Sequence, residues 1–269
     1  MKFPIRSFAA AAGLALAFGS ASAAPTFTID PGSIPGNTFA NDPVVGTTFS
    51  GTSSELLHLN GDTNTASGWV QITSLSNGAN NISPLVSGIT TDYNLYLTFT
   101  LDATVVTGTN GAFGSTYTLN SLSFSVWADV GTNTTFTAAS AAGSGTEATV
   151  GGTTSDDILL GTGTLVPGQG TSTITALGGA ALNAINSFVL TLEGEKFFID
   201  PTPFYELAFS GFNNATGGVS QNGDKVAVND AVAALTFNNV PEPGSMALIG
   251  LALAGLGVTT RRGKKNSSV

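Results

Sequence analysis

Tyr93, Leu95, Leu97, Phe99 and Leu101 alternate with Asn94, Tyr96, Thr98 and Thr100. That period of two constrains the fold more than any other feature of the chain, because it places one set on each face of a strand, whereas a helix would scatter both around its circumference. The pattern recurs. Tyr117 and Leu119 share a face, and Leu122, Phe124 and Val126 resume out of phase, which predicts a bulge near Asn120-Ser121. Phe188, Leu190 and Leu192 form another face, and Tyr205, Leu207 and Phe209 one more, after the rigid Pro201-Thr202-Pro203. Shorter candidates are Trp69–Thr73, Thr134–Ala138, Ile158–Leu165 and Thr171–Ala176. Asn222-Gly223 predicts a hairpin turn between Gly218–Gln221 and Lys225–Asn229. Only Ala180–Asn186 carries a helical pattern, for a turn or two. Gly143–Thr154 reads as an exposed loop, and no repeat of fixed period is present. The expectation is an all-β chain: a single sandwich or jelly-roll-like domain of about ten short strands. Its core would hold Leu95, Leu97, Phe99, Phe124, Val126, Phe188, Leu190, Leu207 and Phe209.

The two ends differ from this domain. Lys2 and Arg6 precede an apolar stretch, Phe8–Phe18, and Ala21-Ser22-Ala23 is a small-residue cleavage site. Residues 1–23 therefore read as a secretory signal peptide cut after Ala23. At the other end Val240-Pro241-Glu242-Pro243-Gly244-Ser245 runs into the apolar Met246–Val258 and then Arg261-Arg262-Gly263-Lys264-Lys265. Ser245–Thr260 is uncharged and short for a bilayer, which needs about 17 or more apolar helical residues. The basic cluster belongs on the cytoplasmic side, so the bulk of the chain lies outside the cytoplasmic membrane. Pro241 and Pro243 keep the preceding segment extended and open to a processing enzyme. A plain single-pass anchor is the simpler alternative. The organisation expected is a signal peptide over 1–23, an exported all-β domain over 24–239, a sorting segment with a transmembrane helix over 240–265, and a polar tail over 266–269.

This three-part tail resembles the PEP-CTERM sorting signal of Gram-negative bacteria, with Pro241, Glu242 and Pro243 as the motif and Arg261 and Arg262 as the basic stop. The resemblance implies handling by an exosortase, a membrane enzyme similar to cysteine transpeptidases, with cleavage and only transient contact with the cytoplasmic membrane. It also implies a producer of exopolysaccharide, and an extracellular matrix or cell surface as destination. The middle of the chain is similar to flocculation-associated PEP-CTERM proteins. The residues that carry this are Gly68-Trp69-Val70-Gln71-Ile72-Thr73, Gly114-Ser115-Thr116-Tyr117-Thr118, Thr135-Phe136-Thr137-Ala138-Ala139-Ser140, Leu159-Leu160-Gly161-Thr162-Gly163, and Phe209-Ser210-Gly211-Phe212-Asn213-Asn214. Asp129, Phe204-Tyr205 and the opening Ala24-Pro25-Thr26-Phe27-Thr28 fit as well. The resemblance carries no catalytic residues to this chain.

Charge narrows the partners. Between Pro25 and Val240 only Lys196 and Lys225 stand against sixteen acids, a net charge of −14. Such a surface repels nucleic acid and anionic membranes, and suits divalent cations or cationic polymers. With no cysteine there is no thiolate nucleophile, cysteine metal site or disulfide. His58, the only histidine, sits in Leu56-Leu57-His58-Leu59, a plausible strand, and no Gly-x-Ser-x-Gly elbow accompanies it. Asp156-Asp157, Glu193 with Glu195, and Glu206 are the carboxylates a glycosidase would draw on, but adjacent acids in a strand point apart. Glu193 and Glu195 lie beside Lys196 and read as a turn with charge partners. Asp62-Thr63-Asn64 and Asp129…Asn133 offer loop oxygens to calcium without completing a calcium loop. Trp69, Tyr96 and Trp127 are candidates for stacking on sugar rings. The expectation is a protein with no catalytic residues, cofactor or metal, which promotes cell aggregation with exopolysaccharide. The alternatives are a carbohydrate-binding module, with or without calcium, and a polysaccharide-modifying enzyme.

Overall fold

The structure is a computed structural model that describes residues 25–38, 42–214 and 218–238. Its strands are β1 (Phe27–Ile29), β2 (Val44–Gly46), β3 (Thr48–Asn60), β4 (Thr63–Asn77), β5 (Asn80–Ile82), β6 (Asn94–Thr107), β7 (Thr116–Asp129), β8 (Thr134–Thr137), β9 (Thr149–Gly152), β10 (Ile158–Ile174), β11 (Ala180–Leu190), β12 (Phe198–Asp200), β13 (Leu207–Asn214), β14 (Val219–Asn222) and β15 (Lys225–Asn238). Two short helices, α1 (Pro84–Ser87) and α2 (Leu192–Phe197), and a 3-10 turn at Pro31–Ser33 complete the described part.

Eight strands pair antiparallel in the order β13-β11-β10-β7-β6-β4-β3-β15, and β13 pairs back onto β15. The sheet is therefore closed into a barrel, not split into the expected sandwich or jelly roll. Closure gives each of the eight strands a paired neighbour on both sides and leaves no open edge. At this strand number the interior is just wide enough for side chains to fill it. Leu95, Leu97, Phe99, Leu101 and Ala103 of β6 all point inward and are buried, as the alternation requires. On β7 Asn120 has no cross-strand partner, since Asp102 faces Ser121 and Ala103 faces Leu119. That is the bulge the phase slip predicts. It keeps Tyr117, Leu119, Leu122, Phe124 and Val126 all buried.

Four local expectations change. Ile158–Leu165 and Thr171–Ala176 are not separate strands: the first and the second as far as Ile174 are parts of β10, whose register shifts between Leu165 and Gly170. Ala180–Asn186 is strand, because its small residues alternate in and out of the barrel beside β10 and β13. The phase of β13 is reversed: Ala208 and Ser210 are buried while Leu207, like Leu190, is only partly so. The side chain of Phe209 lies outside the described part. The turn before β15 falls one residue later than expected, since Asn222 pairs with Lys225 and Gly223-Asp224 form the loop.

One end of the barrel is plugged. The small sheet β12-β1-β2 lies across it. Phe27, Phe197, Phe198 and Phe237 are buried there, with ring centroids of Phe27 and Phe237 at 5.2 Å. A second, smaller core lies on the outer wall. The chain between β7 and β10 forms a flap, built on the β8–β9 hairpin, that covers Leu56, Trp69 and Ala227 with Phe136, Ala139, Ala141 and Ala148. The segment Gly143–Thr154 thus includes β9 and part of a packed flap instead of a free loop.

The signal segment with Ala21 and Ala23, the motif Pro241, Glu242 and Pro243, the basic stop Arg261 and Arg262, and the expected transmembrane sorting helix lie outside the described residues. Among the described residues no helix is long and apolar enough to cross a membrane.

Candidate functional site

The residues singled out for chemistry come together in part, at the plugged end of the barrel. Asp129 ends β7 and is fully buried. Its Oδ2 accepts from Asn94 Nδ2 at 3.2 Å and from the Thr134 amide at 3.0 Å, and its Oδ1 from the Asn133 amide at 3.4 Å. With its oxygens spent on these donors, Asp129 fixes the turn into the flap. Asp157 accepts from Tyr96 Oη at 2.5 Å and from Thr134 Oγ1 at 3.2 Å, while its neighbour Asp156 accepts from Asn133 Nδ2 at 3.3 Å. Partial burial raises the Asp157 carboxyl above its usual range, the Tyr96 and Thr134 hydrogen bonds oppose this, and Asp129 and Asp156 add to it. Burial and the Asp157 carboxylate likewise raise the Tyr96 phenol.

Adjacent as they are, Asp156 and Asp157 serve different partners and do not face each other across a substrate gap. Glu193 and Glu195 sit in the first turn of α2, where carboxylates favour the helix N-terminus. Glu193 also meets Lys196 at 2.8 Å, the charge pairing expected of this turn. Glu206 is exposed, and Asp62 and Asn64 diverge, the first to solvent and the second into the barrel. Among the described residues no group of three or more acids or histidines is placed to hold a metal ion.

His58 meets Glu147 of the flap at 2.7 Å, and Ser67 donates to the other Glu147 oxygen at 3.3 Å. In a hydrolytic triad the imidazole stands between hydroxyl and carboxylate. Here the carboxylate stands between the other two, and the contact pins the flap to β3 and β4. Trp69 lies under the flap, with Nε1 donating to the Thr137 carbonyl at 2.9 Å. Tyr96 is buried against Phe136 and stacks on Trp127 at 6.4 Å. Of the three aromatics proposed for sugar stacking, only Trp127 retains an appreciable exposed surface.

One polar residue was missed. Glu55 occupies an inward position of β3, in the series Phe49, Gly51, Ser53, Glu55, Leu57. Its carboxyl is buried inside the barrel, and burial alone raises it to about 7. Glu55 Oε2 and Asn64 Oδ1 have no hydrogen-bond partner, and both residues line one internal cavity of about 30 Å³. The alternation of β3 was the signal that could have found it, since an acid in phase with Phe49 and Leu57 must point inward.

Neither a curated protein nor a solved structure matches the chain. A family model does match its end: residues 239–262 fit the PEP-CTERM protein-sorting motif. The match begins one residue after β15, so the sorting segment continues directly from the last barrel strand. It contains the three motif residues and both arginines of the basic stop. The chain thus carries at residues 239–262 the PEP-CTERM protein-sorting motif, which implies export and sorting to the cell surface by an exosortase in Gram-negative bacteria.

Proposed function

We propose that the barrel is a non-catalytic matrix or cell-surface protein that promotes cell aggregation together with exopolysaccharide. The observation that carries this reading is the sorting motif, which follows directly from the last strand of a closed and strongly acidic barrel. The polar groups that sequence offered for chemistry support it too. Asp129 and Asp157, and His58 through Glu147, are engaged in holding the flap and its turn. A carbohydrate-binding module is the second reading, favoured by the partly exposed Trp127 on a wall bearing Thr98, Thr100, Ser123 and Ser125.

At a charge of −14 two such domains repel, over a Debye length of about 10 Å at 0.1 M salt. Aggregation therefore requires a bridging agent, polysaccharide or divalent cation. A strain lacking the protein is expected to secrete polysaccharide yet stay dispersed. The test adds the recovered protein to such cells in calcium or in sodium of equal ionic strength, with and without polysaccharide. Clumping that needs a bridging agent supports the reading. Equal clumping in all four mixtures contradicts it, and steady shortening of the polysaccharide shows an enzyme instead.

A further inference from the structure

The way the chain leaves the barrel fixes how the barrel is presented. β15 ends at Asn238, beside the start of β13, since Asn238 pairs with Leu207. Phe237 packs against Phe27 and Phe198 of the plug. The first described strand, β1, belongs to that same plug. Both the described start of the domain and its exit toward the sorting motif therefore lie at one end. Only seven residues, 239–245, separate Asn238 from the apolar segment that begins at Met246. Eight Cα steps of at most about 3.6 Å span roughly 29 Å, less than the roughly 35 Å of barrel height that a 14-residue strand gives at about 3.3 Å per residue and a tilt of about 40°.

The surface of this end is distinctive. Leaving aside the buried Asp129, nine of the sixteen acids between Pro25 and Val240 lie on its segments, at residues 30–38, 42, 84–94, 156–157 and 193–206, against the single Lys196. Leu85 of α1 and Leu192 of α2 protrude from it, 77% and 78% exposed. The opposite end is made of the hairpin turns at 61–62 and 223–224 and the loops 108–115 and 175–179. Phe113 and Leu177 are exposed there.

We propose that, while the sorting segment is still attached, the barrel stands end-on: its plugged, acidic end faces the bilayer surface, and the loops bearing Phe113 and Leu177 point away. This rests on the sorting reading and adds to it the face that meets the lipid. A tether this short prevents the barrel from turning over. Tethering also holds an acidic surface against anionic lipid, which repels it. Cutting the tether then leaves nothing to oppose the repulsion, so the same face that meets the membrane favours departure from it.

The absence of cysteine makes the test clean. Full-length single-cysteine variants Leu85→Cys, Leu192→Cys, Phe113→Cys and Leu177→Cys, all at exposed positions, are expressed in cells lacking the sorting enzyme so that precursor accumulates. A membrane-impermeant maleimide is applied to the exposed membrane face, and again after solubilising the same membranes in detergent. The expected result is labelling at Leu85→Cys and Leu192→Cys several-fold slower in membranes than in detergent, with Phe113→Cys and Leu177→Cys unchanged. Equal labelling at all four positions overturns the end-on arrangement while leaving the sorting reading intact. Precursor recovered in the soluble fraction overturns the sorting reading, and the arrangement with it.

Discussion

Replacing Glu55 with glutamine is expected to stabilise the fold above neutral pH and to leave it little changed near pH 4. The carboxyl faces an internal cavity whose only other titratable lining group is Tyr117, and no basic side chain lines it. Burial raises its folded value from 4.5 to about 7. Between these values the folded state binds a proton that the unfolded state has released. Stability therefore falls as pH rises from 4.5 through 7, and levels off above. At 1.36 kcal/mol per pH unit the penalty at pH 8 is about 3 kcal/mol. For a domain of this size that is a rise of roughly 6–12 °C in melting temperature for the variant. Glu55→Leu, which also removes the unpartnered oxygen, should behave likewise. Melting curves of wild type and both variants from pH 4 to 8 read this directly. A difference that does not grow with pH would show that the carboxylate finds a partner in solution.

Phe237→Ala is expected to destabilise the protein by about 3–5 kcal/mol, the usual cost of emptying a buried aromatic site. Phe237 is 1% exposed. Its ring meets Phe27 at 5.2 Å, Phe188 at 5.0 Å, Phe198 at 5.6 Å and Phe204 at 5.1 Å. These rings come from the last barrel strand, the plug and the wall, so one cavity loosens all three. Leu192→Ala, at an exposed position of the same end, should change stability by less than about 0.5 kcal/mol. Denaturant midpoints of the two variants separate the outcomes. Similar values would mean that the aromatic cluster does not join the plug to the barrel.

Much of the strand content was legible because a period of two leaves little choice. Leu95 to Leu101 announced β6, and the phase slip after Leu119 announced the bulge at Asn120. Closure was not legible, because inward and outward faces alternate alike in a sandwich and in a barrel. Closure depends on β13 pairing with both β11 and β15, a matter of register between distant segments. Glycines also hid its geometry. Gly163 lies so close to the Phe124 ring that a Cβ there would sit 2.3 Å from it, so β10 leaves room for its neighbour's aromatic and loses its own alternation. In β13 Ala208, Ser210 and Phe212 take the inward phase, and Leu207 in the other phase misled the reading. For the site, sequence supplied the residues but not their partners. Asp129, Asp156 and Asp157 do converge with Tyr96, yet they hold a turn. The sorting motif, by contrast, was readable because its order along the chain is the signal, and no fold is needed to see it.

The central claim is that the barrel is exported and cut free from both of its targeting ends. Intact-mass analysis of protein recovered from the extracellular matrix tests it most directly. The account predicts a chain that begins after Ala23 and lacks the apolar segment Met246–Val258. A mass that retains Met246–Val258 would contradict it and establish a permanent anchor in place of a sorting signal.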